Sequence, residues 1–369
     1  MKNILNIVIT GGPCGGKTTA LDEITKLLRS YGYTVYLVNE SATELINDGI
    51  KPFGDYKMEL LDFQSLLLDV QIFKEDIRRK AALMCKNDKV AILYDRGILD
   101  NRSYITNEEF QELLDERNIK ETDILSRYDM VFHLVTAAIG KEEYYTKSNN
   151  KARTESIEQA REQDHKTMES WKNHPSLYII NNDTLFDEKI EKVKNFVRTY
   201  LGEAEVVNHE RYLIQKEDID YNKFTHLAVK EDIEEFVINY RNNDSFVYTK
   251  SIINDSNYYT CTINKYTGTG GKISICKQIR KDEYKDNLLK VDNRVIKKIR
   301  YNFIDNQERF KLDIYDSLII LERDVADIKK KNLPFFIKKG QNITTNRNYD
   351  IDSIYVDKII EQLEKKKSI

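Results

Sequence analysis

A short segment near the start of the chain has the residue types and spacing that hold a polyphosphate. It reads Gly-Gly-Pro-Cys-Gly-Gly-Lys-Thr from Gly11 to Thr18 and fits the pattern G-x-x-x-x-G-K-[ST], the P-loop. Glycines let successive backbone N–H groups point at phosphate oxygens, and the following helix adds partial positive charge. Lys17 can reach the β- and γ-phosphates, and the Thr18 hydroxyl can bind Mg²⁺. The predicted ATP- or GTP-binding residues are Gly11, Gly12, Pro13, Cys14, Gly15, Gly16, Lys17, Thr18 and Thr19.

A second candidate group follows the apolar segment 90–94. Asp95 ends this segment and Arg96 comes directly after it. A carboxylate at the tip of a buried strand beside a P-loop is suited to binding the same Mg²⁺ as Thr18. Arg96 would then contact a phosphate or the molecule that accepts it.

Glu40 and the polar segment 136–165 are the remaining candidates of the first half. Glu40 follows the apolar segment 34–38 and could accept a proton, orient a water or hold Mg²⁺ through water. The segment 136–165 has the composition of a mobile lid, in which Arg153 and Arg161 would close over the phosphates. A charged surface helix has the same composition, so both interpretations stay open.

The segments that carry these residues alternate between strand and helix patterns. Apolar, β-branched runs predict strands over 4–10, 34–38, 90–94, 130–135 and 177–180. Helical periodicity covers 18–30, 57–86, 108–117, 155–172 and 185–200. Continuous apolar strands between amphipathic helices predict an α/β domain with a parallel sheet over residues 1–202. Ligands of such sheets bind beyond the carboxyl ends of the strands, where the P-loop lies.

The pattern changes after residue 202. Strand-like segments cover 206–214, 246–253, 257–264, 272–279, 297–304 and 317–322, and a helix is predicted over 232–240. Turn residues separate several of these segments. Residues 205–369 are therefore predicted to form a mostly antiparallel domain of the α+β class.

Composition limits the function further. The 369 residues include four widely separated cysteines without a CxxC pair, which predicts a reducing, cytoplasmic location and neither a zinc site nor a disulfide framework. No apolar run has the length of a transmembrane helix. The second half is more basic than the first, which indicates an anionic partner or a solvated basic surface. Nucleic acid is an unlikely partner because no aromatic-plus-basic recognition motif is visible.

The first domain resembles the AAA-type P-loop domain shared by NadR-like kinases and TRPL-translocation-defect proteins. The matching segments are Gly11–Thr18, Glu40-x-Ala42-Thr43-Glu44, Phe63-Gln64 with Gln71, Asp95-Arg96-Gly97 with Asp100, Arg127-Tyr128-Asp129, His133–Ala138, Tyr144–Thr146, Asn149-Asn150-x-Ala152-Arg153-x-Glu155, Asp164 and Trp171-x-x-His174-Pro175. They cover nearly all of residues 1–200. The resemblance implies nucleotide binding, with kinase or NTPase activity.

In this family a CYTH-like domain, a β tunnel that holds polyphosphate, commonly follows, and the second domain resembles a diverged one. Its opening strand keeps Glu210 but has Asn208 and Tyr212 where the family has an acid and a lysine. The resemblance suggests an anion tunnel lined by Glu210, Lys250, Lys277, Arg280, Arg300, Lys311, Glu322 and Asp324. Because metal-binding acids are depleted, anion binding is expected more than triphosphate hydrolysis. A scaffold role remains the alternative.

The leading hypothesis is a Mg²⁺-dependent ATP- or GTP-binding protein that hydrolyses or transfers the γ-phosphate, with Lys17, Glu40, Asp95, Arg96 and Arg153 as catalytic residues. One alternative is a small-molecule kinase that acts on a nucleoside-like acceptor. Another is a nucleotide-gated binding module whose second domain holds an anionic lipid headgroup or a polyphosphate.

Overall fold

A computed structural model describes residues 4–55, 57–145, 156–204, 209–224, 227–239, 244–266, 272–316, 318–324 and 333–367. The chain divides into two compact units, 1–197 and 198–369. None of the helices in the described residues is both long enough and apolar enough to cross a membrane.

The helices, in chain order, are α1 (Lys17–Ser30), α2 (Ser41–Asn47), α3 (Leu60–Met84), α4 (Asn107–Glu116), α5 (Glu121–Leu125), α6 (Ile157–Ser170), α7 (Phe186–Leu201), α8 (Tyr221–Phe224), α9 (Lys281–Leu289) and α10 (Ile351–Lys367). The strands are β1 (Ile4–Thr10), β2 (Thr34–Val38), β3 (Val90–Asp95), β4 (Met130–Leu134), β5 (Leu177–Ile180), β6 (His209–Leu213), β7 (Val229–Asn239), β8 (Ser245–Ile253), β9 (Ser256–Tyr266), β10 (Lys272–Gln278), β11 (Ile296–Asp305), β12 (Glu308–Ile314), β13 (Ile319–Asp324) and β14 (Gln341–Asn342).

The first unit is built on a parallel sheet, as predicted. Within the described residues the sheet has five strands in the order β2-β3-β1-β4-β5. The strands β3 and β4 are buried along almost their whole length, which explains their continuously apolar sequences. In the sheet register Ile9 lies beside Asp95 and Thr10 lies beside His133. The loops that follow β1, β3 and β4 therefore meet at one edge of the sheet.

The second unit contains a curled antiparallel sheet. Its described strands, nine in number, run in the order β10-β9-β8-β7-β11-β12-β13-β6-β14. One face of this sheet is apolar: Phe303, Phe310 and Leu321 pack there with Phe224 of α8 and with Phe336. A second apolar group on the same face is covered by Tyr284 of α9. The opposite face is charged and is described with the candidate sites.

The prediction of a helix over 232–240 is wrong, because this segment belongs to the strand β7. Its many acidic residues resemble the solvated side of a helix. In the strand, Glu231, Ile233 and Glu235 instead point to the same side of the sheet and are buried or nearly so. Glu235 lies 2.7 Å from the ammonium of Lys298, which supplies the charge that its burial requires.

A buried carboxylate joins α3 to the segment that precedes β4. Glu75 is fully buried; its Oε1 accepts a hydrogen bond from the Tyr128 hydroxyl at 2.7 Å, and its Oε2 lies 3.3 Å from the guanidinium of Arg127. Burial raises the pKa of Glu75 from 4.5 to about 7 despite these two partners. Between these values the folded protein holds a proton that the unfolded chain has lost. Stability attributable to Glu75 therefore falls as the pH rises through this window.

We expect Glu75→Gln to remove this fall. Between pH 4.5 and 7 the parent should lose up to about 3 kcal/mol of unfolding free energy that the variant retains. The measurement is urea unfolding at several pH values, followed by the fluorescence of Trp171, which is buried in the first unit 5.5 Å from the Tyr128 ring. Asp62→Asn, an exposed acid on the same helix, is the control and should keep the parent's pH dependence. Equal pH dependence in the parent and in Glu75→Gln would contradict the expectation.

Candidate functional site

The loop that follows β1 packs directly against the backbone of β4. Gly11 has a φ of +127° and Gly16 a φ of +96°, values that L side chains rarely adopt. A Cβ on Gly11 or on Gly15 would overlap the carbonyl oxygen of Leu134. Only glycine fits at Gly11, Gly15 and Gly16. The glycine spacing of the motif therefore reflects both the backbone conformation of the loop and its close packing against β4.

Lys17 begins α1 and turns back over the loop. Its Nζ donates to the carbonyl oxygens of Gly11 at 3.0 Å and Gly12 at 2.8 Å. Burial and the nearby charge of Arg96 lower the pKa of Lys17 to about 8. The ammonium is thus held at the mouth of the loop, where phosphate oxygens would contact it.

The carboxylate of Asp164, on α6, fixes the loop from behind. Its Oδ1 accepts hydrogen bonds from the N–H groups of Gly12 at 2.7 Å and Thr136 at 3.0 Å. The Nε2 of His133 lies 3.2 Å from the same oxygen, and both side chains are fully buried. Burial alone would raise the pKa of Asp164, but His133 and the two N–H donors hold it below its ordinary value. One oxygen thus joins the P-loop, the end of β4 and α6.

Asp95 has the properties of a cation ligand. It ends β3 beside β1, and its Oδ1 is buried without a hydrogen-bond partner in the described part of the chain. Burial, and then the nearby charge of Glu40, raise the pKa of Asp95. A buried carboxylate oxygen without a partner calls for an explanation, and carboxylate oxygens are ligands that Mg²⁺ prefers. Asp95 therefore fits the metal role predicted for it together with Thr18.

Arg96 is held in place by two carboxylates. Its Nε donates to Glu40 Oε1 at 2.7 Å, and one terminal nitrogen lies 3.7 Å from Asp100. The other oxygen of Glu40 accepts from the Thr43 hydroxyl at 2.7 Å. Although burial opposes it, the charges of Arg96 and Lys17 lower the pKa of Glu40 to about 2. Glu40 is thus an ionised group with both oxygens engaged.

These residues surround a cleft of about 1040 Å³ within the first unit. This volume is at the upper end of the range for small-molecule sites. Beyond the P-loop, one side of the cleft is lined by the segment after β5, with Thr184, Leu185 and Phe186. The ring of Phe186 lies over Gly16, the Leu185 and Phe186 side chains are exposed, and the Thr184 hydroxyl is buried without a partner among the described residues.

The other side of the cleft, which we call the acceptor half, is lined by residues of 41–46, 52–71 and 101–104. Every described side chain that lines it is uncharged. Its wall is mainly apolar, with Phe53, Phe63 and Leu67, but three amides, Gln64, Gln71 and Asn101, interrupt it. The side chain of Gln71 accepts a hydrogen bond from Asn101 at 2.7 Å. Gln64 is 3% exposed, and its Oε1 has no partner among the described residues.

The two predicted lid arginines have different outcomes. Arg153 lies outside the described residues. Arg161 is on α6, where its guanidinium donates to the carbonyl oxygen of Ala138 at 2.7 Å and to Glu142 at 2.8 Å. The structure thus ties Arg161 to the segment that follows β4.

The sequence reasoning missed the loop-supporting role of Asp164, the acceptor-half position of Gln64 and the position of Phe186. Asp164 was included in the candidate lid segment and in the family resemblance, and Gln64 in the resemblance alone. No spacing motif marks a buried polar side chain whose partners are far away in the chain.

In the second unit the predicted tunnel residues fall on two faces of the sheet. Arg300, Lys311, Glu322 and Asp324 lie on the charged face, where Lys311 faces Glu322 and Arg300 faces Asp313 in the register. The other members lie elsewhere. Three of them point to the opposite face: Glu210, Lys250 and Lys277. There Glu210 binds Arg323 at 2.9 Å and Lys250 binds Glu234 at 3.0 Å. Arg280 precedes α9. The eight residues therefore do not line one surface.

The charges of this face are paired with one another. Arg300 binds Asp313 at 2.7 Å, and Lys311 lies 3.3 Å from Glu322 and 3.2 Å from Asp324. His209, Glu322 and Asp324 place possible metal-ligand atoms within 4.8 Å of one another. The sequence reasoning did not single out His209, whose Nδ1 lies 3.0 Å from Asp324. Lys311 already supplies positive charge to this group.

Comparison with known proteins assigns the first unit only. No curated protein matches the chain. The solved structures that resemble it include "The crystal structure of the hypothetical protein NE1496", with 12% sequence identity and a TM-score of 0.27 over 40% of this chain and 96% of that chain. At this TM-score the likeness carries no argument. Residues 6–189 match the model of a family described as "AAA domain". The match and the loop geometry together support a P-loop NTPase-like, nucleotide-binding domain over residues 6–189.

Proposed function

We propose that the first unit binds ATP or GTP with Mg²⁺ and transfers the γ-phosphate to water or to an acceptor hydroxyl. The observation that carries this proposal is the meeting of Lys17, the unpartnered oxygen of Asp95 and the anchored Arg96 around one cleft. Phosphoryl transfer depends mainly on positioning and on neutralising charge, and these are the groups that such a site needs.

Each of these residues has a separate role in the proposal. Lys17 and the loop N–H groups neutralise the charge of the phosphoryl oxygens. Thr18 and Asp95 would hold Mg²⁺, which supplies further neutralisation of the β- and γ-phosphates. Arg96 contacts the transferred phosphate or the acceptor. Glu40 has both oxygens engaged by Arg96 and Thr43, so we assign it to orienting Arg96 rather than to accepting a proton.

The acceptor half favours transfer to a small molecule as a second candidate function. A hydrolase needs room for one water, whereas this cleft continues past Arg96 into a region lined by aromatic side chains and amides. The cations that line the cleft, Lys17, Arg96, Lys141 and Lys189, lie outside the three ranges of the acceptor half. An uncharged alcohol with a planar ring, such as a nucleoside, fits this lining. The unpartnered Oε1 of Gln64 would accept a hydrogen bond from the ring.

For the second unit we propose a CYTH-like relationship and the binding of an anion on the charged face. The support is a curled antiparallel sheet with buried arginine and lysine side chains on one face. The paired carboxylates on that face favour binding over triphosphate hydrolysis, as the resemblance implies. A cytoplasmic location belongs to the same proposal and rests on the cysteine pattern.

Removal of the P-loop cation should abolish turnover. We expect Lys17→Ala to lower the rate of Mg·ATP or Mg·GTP consumption about 100-fold or more, because a charge-neutralising contact is lost where charge develops. Phosphorus NMR of the purified protein with each nucleotide measures the rate, and a binding titration gives the affinity. Lys26→Ala is the matched control, since Lys26 is on the same helix and its ammonium binds Glu23 at the surface. Unchanged binding and rate in Lys17→Ala would overturn the proposal.

The same NMR experiment distinguishes hydrolysis from transfer. Uncharged nucleosides should give a new phosphoester resonance, and nucleoside monophosphates should not, because the acceptor half lacks a cation for their phosphate.

Gln64→Leu should raise the KM for the acceptor about tenfold through the lost hydrogen bond and leave the affinity for Mg·ATP unchanged. Orthophosphate alone, at a rate that nucleosides do not change, would instead establish a hydrolase. Faster reaction with monophosphates would contradict the proposed acceptor class.

A further inference from the structure

The helix α3 exposes an apolar stripe that nothing in the described chain covers. Its side chains at 66, 73, 77 and 84 are large and apolar, with exposed fractions of 42% for Leu66, 66% for Phe73, 40% for Ile77 and 83% for Met84. Val70 lies between them and is half-buried. Contiguous exposed apolar side chains mark interaction surfaces, whereas isolated ones are ordinary.

The stripe follows one line along the helix. The steps from Leu66 to Val70, Phe73 and Ile77 are four, three and four residues, and Met84 follows after seven more. This is the spacing of the contact positions in a pair of packed helices. Phe63, Leu67 and Gln71, which line the cleft, lie about 60°, 100° and 140° around the helix from Leu66. The apolar surface of α3 thus extends from the cleft to the exposed stripe, and a helix that is apolar over so much of its circumference is normally buried over that whole width.

The stripe is complementary to itself when a second copy runs in the opposite direction. Pairing α3 about its position 75 places Phe73 opposite Ile77 of the partner subunit, and Leu66 opposite Met84 of the partner subunit. Large apolar side chains meet at these two steps, and Val70 comes opposite Lys80 of the partner subunit, whose aliphatic stem can pack on it. The reciprocal contacts are those of a twofold interface.

The charges beside the stripe favour the same direction. Asp62 and Asp69 flank its first half, and Lys80 and Lys86 flank or follow its second half; all four are exposed. At 100° per residue, Asp69 and Lys80 lie on the same side of the stripe. The antiparallel arrangement therefore brings Asp69, whose carboxylate also binds Arg117 of its own chain at 2.7 Å, towards Lys80 of the partner subunit.

We propose that this chain forms a homodimer through the α3 stripe, with the two α3 helices packed antiparallel about position 75. The partner's helix covers the exposed side of α3. Each copy thereby supports the wall that carries Gln64 and Gln71 in its own acceptor half.

The first test is the mass in solution. Light scattering over a dilution series should give about 87 kDa at the higher concentrations, twice the 43.4 kDa of one chain. The double variant Phe73→Glu/Ile77→Glu should dissociate at concentrations at least tenfold higher than the parent. The matched control is Phe335→Glu/Ile360→Glu, which changes exposed apolar residues elsewhere and should leave the mass unchanged.

Folding of each variant is checked by Trp171 fluorescence and by Mg·ATP binding. Met84→Glu provides a second disruption at the most exposed position of the stripe should the double variant not fold. A parent that is monomeric at all concentrations, or a dimer that survives both sets of changes, overturns the proposal.

The direction of pairing is tested by cross-linking in a Cys85→Ser background, because Cys85 follows α3 directly. A mixture of Phe73→Cys and Ile77→Cys proteins should form a disulfide-linked dimer on mild oxidation, whereas each protein alone should form much less. Efficient linkage of Phe73→Cys protein alone would overturn the antiparallel arrangement.

Discussion

The candidate site depends on one buried charge, the carboxylate of Asp164. A carboxylate removed from water is costly unless donors satisfy it, and here two N–H groups and His133 converge on a single oxygen. These contacts are the reason that the loop after β1 keeps a defined position against β4 and α6. Without them, buried donors on Gly12 and Thr136 would lose their acceptor, which is more damaging than losing an exposed hydrogen bond.

The cleft separates two kinds of chemistry that the chain keeps apart. Ionised groups gather where β1 and β3 end, with Lys17, Asp95 and Arg96 close to one another. Beyond them the wall becomes apolar and neutral, supplied largely by α3. Full charges are concentrated where phosphate charge would have to be neutralised, and dipoles and rings occupy the remainder, where shape and hydrogen bonds select a molecule.

The parts of the fold that local chemistry determines could be predicted from the sequence. The P-loop, the carboxylate after β3 and the parallel sheet follow from glycine conformation and from continuous apolar runs. Asp164 could not be assigned its role because its partner Gly12 is 152 residues away. The strand β7 was mistaken for a helix since Glu231 and Glu235 look solvated until Lys298 and Arg300 of the neighbouring strand are placed beside them. Long-range pairing decided both cases.

The paired charges of the second sheet have a consequence for what can bind there. The side chains of Lys311 and Arg300 already bind carboxylates of the same sheet. Because these carboxylates are tethered beside them, their effective concentration is high. An incoming anion must therefore exchange with these carboxylates instead of filling an empty positive site. A singly charged anion competes poorly in such an exchange, whereas a chain of linked charges displaces several carboxylates together. In the proposed mode of binding the face would therefore select anions by their number of linked charges.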